Sequence, residues 1–269
     1  MIATAPHIPT VQQPQPPEIF YPSSDGEPLA ETSLHVDVII TLVVLLRQYL
    51  QDHFADRNPL ILADQFVYYA ENFPRLRFAP DVAVLFGVAP GPRDNYKIWE
   101  EKQVPAVIFE ITSPGTQKQD QETKKDLYEK IGVQEYWLFD PKAEWIPEQL
   151  RGYRLEGEDY QPITDAQSQV LGLRFQIQGP SLDLYRVATG EKLLLLEEVA
   201  ASLQAEAVAR QAAEADKAQA QQQAQQAQQQ AQQAQQQAQQ AQQQAEQAQR
   251  RSEQLAEKLR ELGLDPDSI

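Results

Sequence analysis

The chain contains no cysteine. Disulfides, thiolate metal sites and cysteine nucleophiles are therefore excluded from its chemistry. Basic residues are scarce as well, with 23 Lys and Arg against 39 Asp and Glu and a formal charge of -16. Non-specific nucleic-acid affinity comes mostly from phosphate neutralisation, and a surface this acidic repels DNA at long range. Long uninterrupted apolar runs are also lacking. The most apolar stretch, about Val36 to Leu46, is short for a membrane span and is interrupted by Asp37. The chain opens with no charged-then-apolar signal pattern, so a cytoplasmic protein without a membrane partner is expected.

What is present is unevenly divided. Residues 1–18 are rich in Pro, Thr and Gln without periodicity and read as a disordered lead. Residues 19–192 alternate strand-like and helix-like segments, enough chain for one α/β domain with a buried sheet. Composition then changes abruptly at about Leu193. Ala220, Ala224, Ala227, Ala231 and Ala234 begin a repeat in steps of four and three that runs on to Ala248 and continues through Ser252, Leu255, Leu259 and Leu262. This is a heptad with Ala at both core positions. It predicts a long helix over 193–269, forming a left-handed coiled coil that offers a homo-oligomer contact. A disordered glutamine-rich tract is the alternative. Residues 201–269 hold nine acids and six Lys or Arg, which leaves -13 of the charge to the first 200 residues.

The chemistry gathers between Pro80-Asp81 and Tyr128. FAPDVAVLFG and PAVIFEITS are short apolar runs bounded by Pro or Gly, and both read as buried strands. Asp81 begins the first run and Glu110 ends the second. An unpaired buried carboxylate is costly, so an acid after Ala-Val-Ile-Phe calls for a partner. Two such carboxylates suit a hard divalent cation, Mg²⁺ with Mn²⁺ as a substitute, which would activate water and screen phosphate charge. Asp120, Lys124 and Tyr128 follow at intervals of four on one helix face. Lys124 is then either a fixed positive charge beside the acids or one half of an ordinary Asp-Lys pair.

These pieces resemble a known family. YPSSDGEPLAETSLH, APDVAVLFG, YKIWEEKQVPAVIFEITSPGTQKQD, KKDLYEKIGVQEYWLFDP, LRGYRL and VLGLRF occur in order over residues 20 to 198. The set is similar to the bacterial Uma-type restriction endonuclease domain, a branch of the PD-(D/E)XK superfamily. The resemblance implies a restriction-endonuclease-like α/β core, a central mixed sheet flanked by helices. It also implies a Mg²⁺-dependent endonuclease acting on DNA, with Asp81 and Glu110 as metal ligands.

One position departs from the superfamily pattern. The lysine expected two residues after the acid is replaced by Thr112, so the resemblance implies that Lys124 on the next helix supplies the charge, with Lys125 as a weaker substitute. Glu31 is a further metal ligand by resemblance or a helix-start acid by position. His35 falls one turn away, on a segment with apolar residues at helical spacing, and takes an accessory role.

Arg75 and Arg77 before Asp81, with Lys118, Lys124 and Lys125 after Glu110, form a basic patch flanking the site. Tyr96 and Trp99 either stack on a base or pin their loop to the core. A second functional class stays open, a nuclease-fold scaffold that recruits partners through its coiled coil.

Overall fold

The computed structural model describes residues 19–26 and 31–261. The proposed disordered lead and Leu262 of the tail repeat lie outside the described residues. The chain divides into two compact units, Met1–Leu196 and Glu197–Ile269.

In the first unit, helix α1 (Ser33–His53) starts where the Thr32 side chain accepts the His35 amide at 3.3 Å, satisfying a first-turn donor. Val38, Leu42, Leu45, Leu46, Tyr49 and Leu50 recur at helical spacing and are buried. By length and composition α1 could cross a membrane, alone in this among the described residues. Its apolar stripe is instead part of the interior core. Glu31 precedes the cap residue, so it does not lie on the helix as the sequence spacing suggests.

The remaining elements follow in short steps. They are β1 (Leu60–Leu62), β2 (Val67–Tyr68), β3 (Arg77–Phe78), β4 (Val82–Leu85), β5 (Tyr96–Lys97), α2 (Ile98–Glu101) and β6 (Val107–Ile111). A π-helical segment, Gln119–Lys124, runs directly into α3 (Lys125–Ile131), followed by β7 (Glu135–Phe139), β8 (Leu150–Glu156) and β9 (Asp159–Ile163). The unit closes with β10 (Gln167–Ser168), β11 (Leu173–Gln178) and β12 (Ser181–Arg186).

The central sheet has the order β1-β4-β6-β7-β8-β9. Only β6 and β7 pair in parallel, as expected for strands joined through a helix. Side chains alternate along β6. Val107, Phe109 and Ile111 join the core that holds α1 and the β10-β11-β12 sheet. Ile108 joins the opposite core with Tyr128 of α3 and residues of the small β3-β2-β5 sheet. Glu110 has the parity of Ile108, which directs it toward α3.

Three sequence expectations need correction. ILADQFVYYA reads as one strand but forms β1 and β2 in different sheets, because Asp64 between them takes a left-handed φ of 49° and donates its amide to Pro80 O at 3.0 Å. VAPGPRDNYKIWEEKQ reads as one long loop but contains β5 and α2. LGLRFQIQ and SLDLYRVATGEKL read as closing edge strands, whereas β11 is the middle strand of a separate three-stranded sheet and β12 its edge. Their Leu173, Phe175, Leu182 and Leu184 contribute a second apolar layer over the core.

Two sites show how tightly the unit is packed. Gly152 on β8 sits opposite Trp137, and a Cβ there would lie 2.4 Å from the indole ring. Tyr96 is fully buried and donates its hydroxyl to Gln103 O at 2.9 Å, while Trp99 packs on Tyr21 at 5.4 Å. Both aromatic residues thus anchor their segment to the fold.

The second unit is dominated by α4 (Leu196–Glu261), 66 residues long. At 1.5 Å per residue it extends about 100 Å. Nearly all its described side chains are exposed.

Candidate active site

The β4-β6 pairing sets Val82 opposite Phe109 and Ala83 opposite Ile108. One step further along the same register, Asp81 meets Glu110. Asp81 Oδ2 accepts the Ile111 amide at 2.6 Å, and Glu110 Oε2 lies 3.5 Å from the Asp81 amide nitrogen. The two carboxylates therefore occupy the same end of adjacent strands.

Glu110 is only 1% exposed. The Tyr128 hydroxyl donates to its Oε1 at 2.6 Å, and Lys124 Nζ donates to its Oε2 at 2.8 Å. Each oxygen therefore has a donor, so the carboxylate is fixed in orientation. Lys124 Nζ also stands 3.0 Å from Asp120 Oδ1. Burial raises the Asp120 carboxyl above its ordinary value, and Lys124 and Thr116 offset part of that rise.

The π-helical segment and α3 carry Asp120, Lys124 and Tyr128 on successive turns. Lys124 and Tyr128 point to Glu110 together, which satisfies the need of a buried acid for partners. Tyr136 donates its hydroxyl to Asp120 O at 2.9 Å and ties the start of the segment to β7.

Electrostatics follow from burial. Desolvation pushes Glu110 up to about 8 despite the Lys124 ammonium, with Asp81 and Asp120 adding to the rise. Burial opposes the charge on Lys124, but Glu110 and Asp120 outweigh it and hold the ammonium above its ordinary value. Burial lowers His35, yet its contact with Asp81 and the charge of Glu31 leave it raised overall.

The other predicted residues are distributed differently. His35 lies between two acids, its Nε2 3.5 Å from Asp81 Oδ1 and its Nδ1 3.8 Å from Glu31 Oε2. Glu31 is thus linked to the pair through His35. Thr112 is buried at the end of β6, donates its amide to Phe139 O at 2.8 Å, and keeps its hydroxyl oxygen without a hydrogen-bond partner. Lys125 turns away, its ammonium over Tyr153 at 5.2 Å and Tyr160 at 5.9 Å.

The flanking basic patch is thinner than the sequence suggests. Arg77 stacks over Phe66 at 4.1 Å, and Lys124 is held within the acidic cluster. Arg75 and Lys118 remain exposed. Asp64 is a residue that sequence reasoning missed. Burial and the charges of Asp81 and Glu31 raise its carboxyl above the usual range, placing it within electrostatic reach of the cluster. The available signal was an acid interrupting the apolar run Leu60-Ile-Leu-Ala.

Oxygen donors, rather than nitrogen or sulfur, define this cluster, and they match the preferences of a hard divalent cation. Among the described residues, no group of three or more His, Asp or Glu is arranged to hold a metal ion. A two-carboxylate site still fits Mg²⁺, which binds through one or two carboxylates and keeps several waters for substrate phosphate.

The core is a mixed sheet whose acidic strand ends receive a lysine from the following helix. The Uma2 family model, described as "Putative restriction endonuclease", matches residues 9–184. That is more than half of the chain, and the protein belongs to this family. Among solved structures it is similar to a "putative nuclease belonging to DUF820" from Anabaena variabilis, at 16% identity and a TM-score of 0.36. The likeness covers 54% of this chain and 77% of that one. No curated protein matches.

Proposed function

We propose that the protein is a divalent-metal-dependent endonuclease that hydrolyses DNA phosphodiester bonds. The observation that carries this reading is the convergence of Asp81 and Glu110 from adjacent strands with Lys124 held 2.8 Å from Glu110. Asp81 and Glu110 would hold Mg²⁺ or Mn²⁺. A bound cation supplies an activated water and screens charge on the phosphate.

The chain's own groups do the rest. Tyr128 and the Ile111 amide orient the two carboxylates through bonds of 2.6 Å each. Lys124 presents a positive charge that need not reorganise as negative charge builds on the phosphate oxygens. His35 and Glu31 position Asp81 from its other side, with Asp120 steadying the lysine.

The test is plasmid nicking in Mg²⁺ or Mn²⁺, paired with titration calorimetry of the metal. Wild type nicks and binds the metal, whereas Asp81→Ala and Glu110→Ala lose both. Nicking that survives both substitutions assigns the activity to another site. A wild-type chain that binds neither metal supports the scaffold reading, in which the fold has kept its shape and given up hydrolysis.

A further inference from the structure

We propose that α4 pairs with α4 of a second copy of this chain, antiparallel, in the register that sets Leu203 opposite Leu255. This does not depend on the nuclease reading. Among the described residues of α4, five large apolar side chains are exposed: Leu196, Val199, Leu203, Val208 and Leu255. Leu196, Leu203 and Leu255 are 81%, 61% and 55% exposed. Extended backward from the alanines, the seven-residue repeat passes without a break through Leu203, Val199 and Leu196. Four of the five exposed apolar residues thus fall on one seam, and Val208 alone lies off it.

Alanine buries little area, so the middle of the seam contributes close approach more than energy. Its aliphatic ends supply the association, and the charges between them decide direction. The seam also contains Glu206, Arg210 and Lys217. In a parallel pair each would face its own copy, setting like charges together in three layers. The antiparallel register sets Glu206 against Ser252, Arg210 against Ala248 and Lys217 against Ala241. Long charged stems then lie across small residues and reach solvent. Leu203 meets Leu255 at the same time.

Charge over whole segments agrees. Residues 197–217 hold five acids and two bases, whereas residues 241–261 hold four of each. Parallel pairing would oppose two segments of net -3, while antiparallel pairing opposes -3 with a neutral segment. The flanks of the Ala section are Gln, which carry no charge to select a different partner helix.

The absence of native cysteine makes the test direct. Ala213→Cys and Ala245→Cys occupy facing seam positions in the proposed register. Mixed full-length chains carrying one or the other should form a 213–245 disulfide, because bridged Cα atoms stand about 4.4–6.8 Å apart. Neither variant alone should cross-link, since each residue and its own copy lie roughly 48 Å apart along an antiparallel pair. Light scattering should give a dimer for wild type, and Leu203→Ala with Leu255→Ala should weaken it by roughly tenfold or more. A 213–213 disulfide would overturn the proposal in favour of a parallel pair. A wild-type monomer at the highest soluble concentration would overturn it outright.

Discussion

The two units use the same repertoire of charged and amide side chains in opposite ways. In the first, Glu110 is surrounded by Tyr128 and Lys124 from one helical segment and by the Asp81 backbone from a neighbouring strand. In the second, ion pairs such as Arg210 with Glu214 at 3.1 Å join neighbours on the same helix and stand in solvent. Position therefore matters acutely in one unit and weakly in the other. A residue in the first is defined by what surrounds it, and a residue in the second by its place in a repeat.

That contrast can be broken by substitution. Above pH 8, where Glu110 is ionised, Lys124→Ala should have the largest effect on stability, about 3–5 kcal/mol, because it removes the counter-charge of the buried Glu110 and Asp120. Urea unfolding reads the loss directly, and a change below about 1 kcal/mol would mean that the cluster is already neutral. Gly152→Ala should follow at about 1–3 kcal/mol, since its Cβ would collide with Trp137. Thermal melting of that variant tests whether the sheet can yield at this point.

A pH series probes the same interior without mutation. Glu110 is raised to about 8, so below that pH its protonated form competes with a metal ion. Divalent-metal affinity should rise about tenfold per pH unit up to that point and then level off, because binding must release the proton. Calorimetry in buffers of different ionisation enthalpy would reveal the release, and a flat profile from pH 6 to 9 would contradict it. The smallest effect belongs to the tail. Ala231→Gly should cost about 1 kcal/mol of helix stability and leave metal binding unchanged. A circular-dichroism melt with parallel calorimetry would check both parts.

Much of the first unit is legible in the sequence. Asp81 and Glu110 stood at the ends of apolar runs, and both runs form central strands, β4 and β6. The Lys124 contact was harder, because spacing placed it on a helix face but could not distinguish Glu110 from solvent. The sequence spacing puts Glu31 on the helix with His35, whereas Thr32 caps α1 and the helix starts at Ser33. Asp64 was missed because its role depends on a left-handed turn between two sheets, which no periodicity announces. Local patterns identify elements, whereas the neighbours of a buried charge are set by chain crossings far apart in sequence. In the tail the 66-residue helix was legible from Ala and Gln alone, since it depends on local propensity.

The π-helical segment before α3 has a genetic consequence. Its wider turn is what a helix adopts when it accommodates one residue beyond the α-helical count. Loss of a single codon between Asp120 and Lys124 would let the segment relax to an ordinary helix and set the two residues three apart, still neighbours on one face. A three-nucleotide deletion there would therefore shorten the segment while leaving the acid and the lysine side by side.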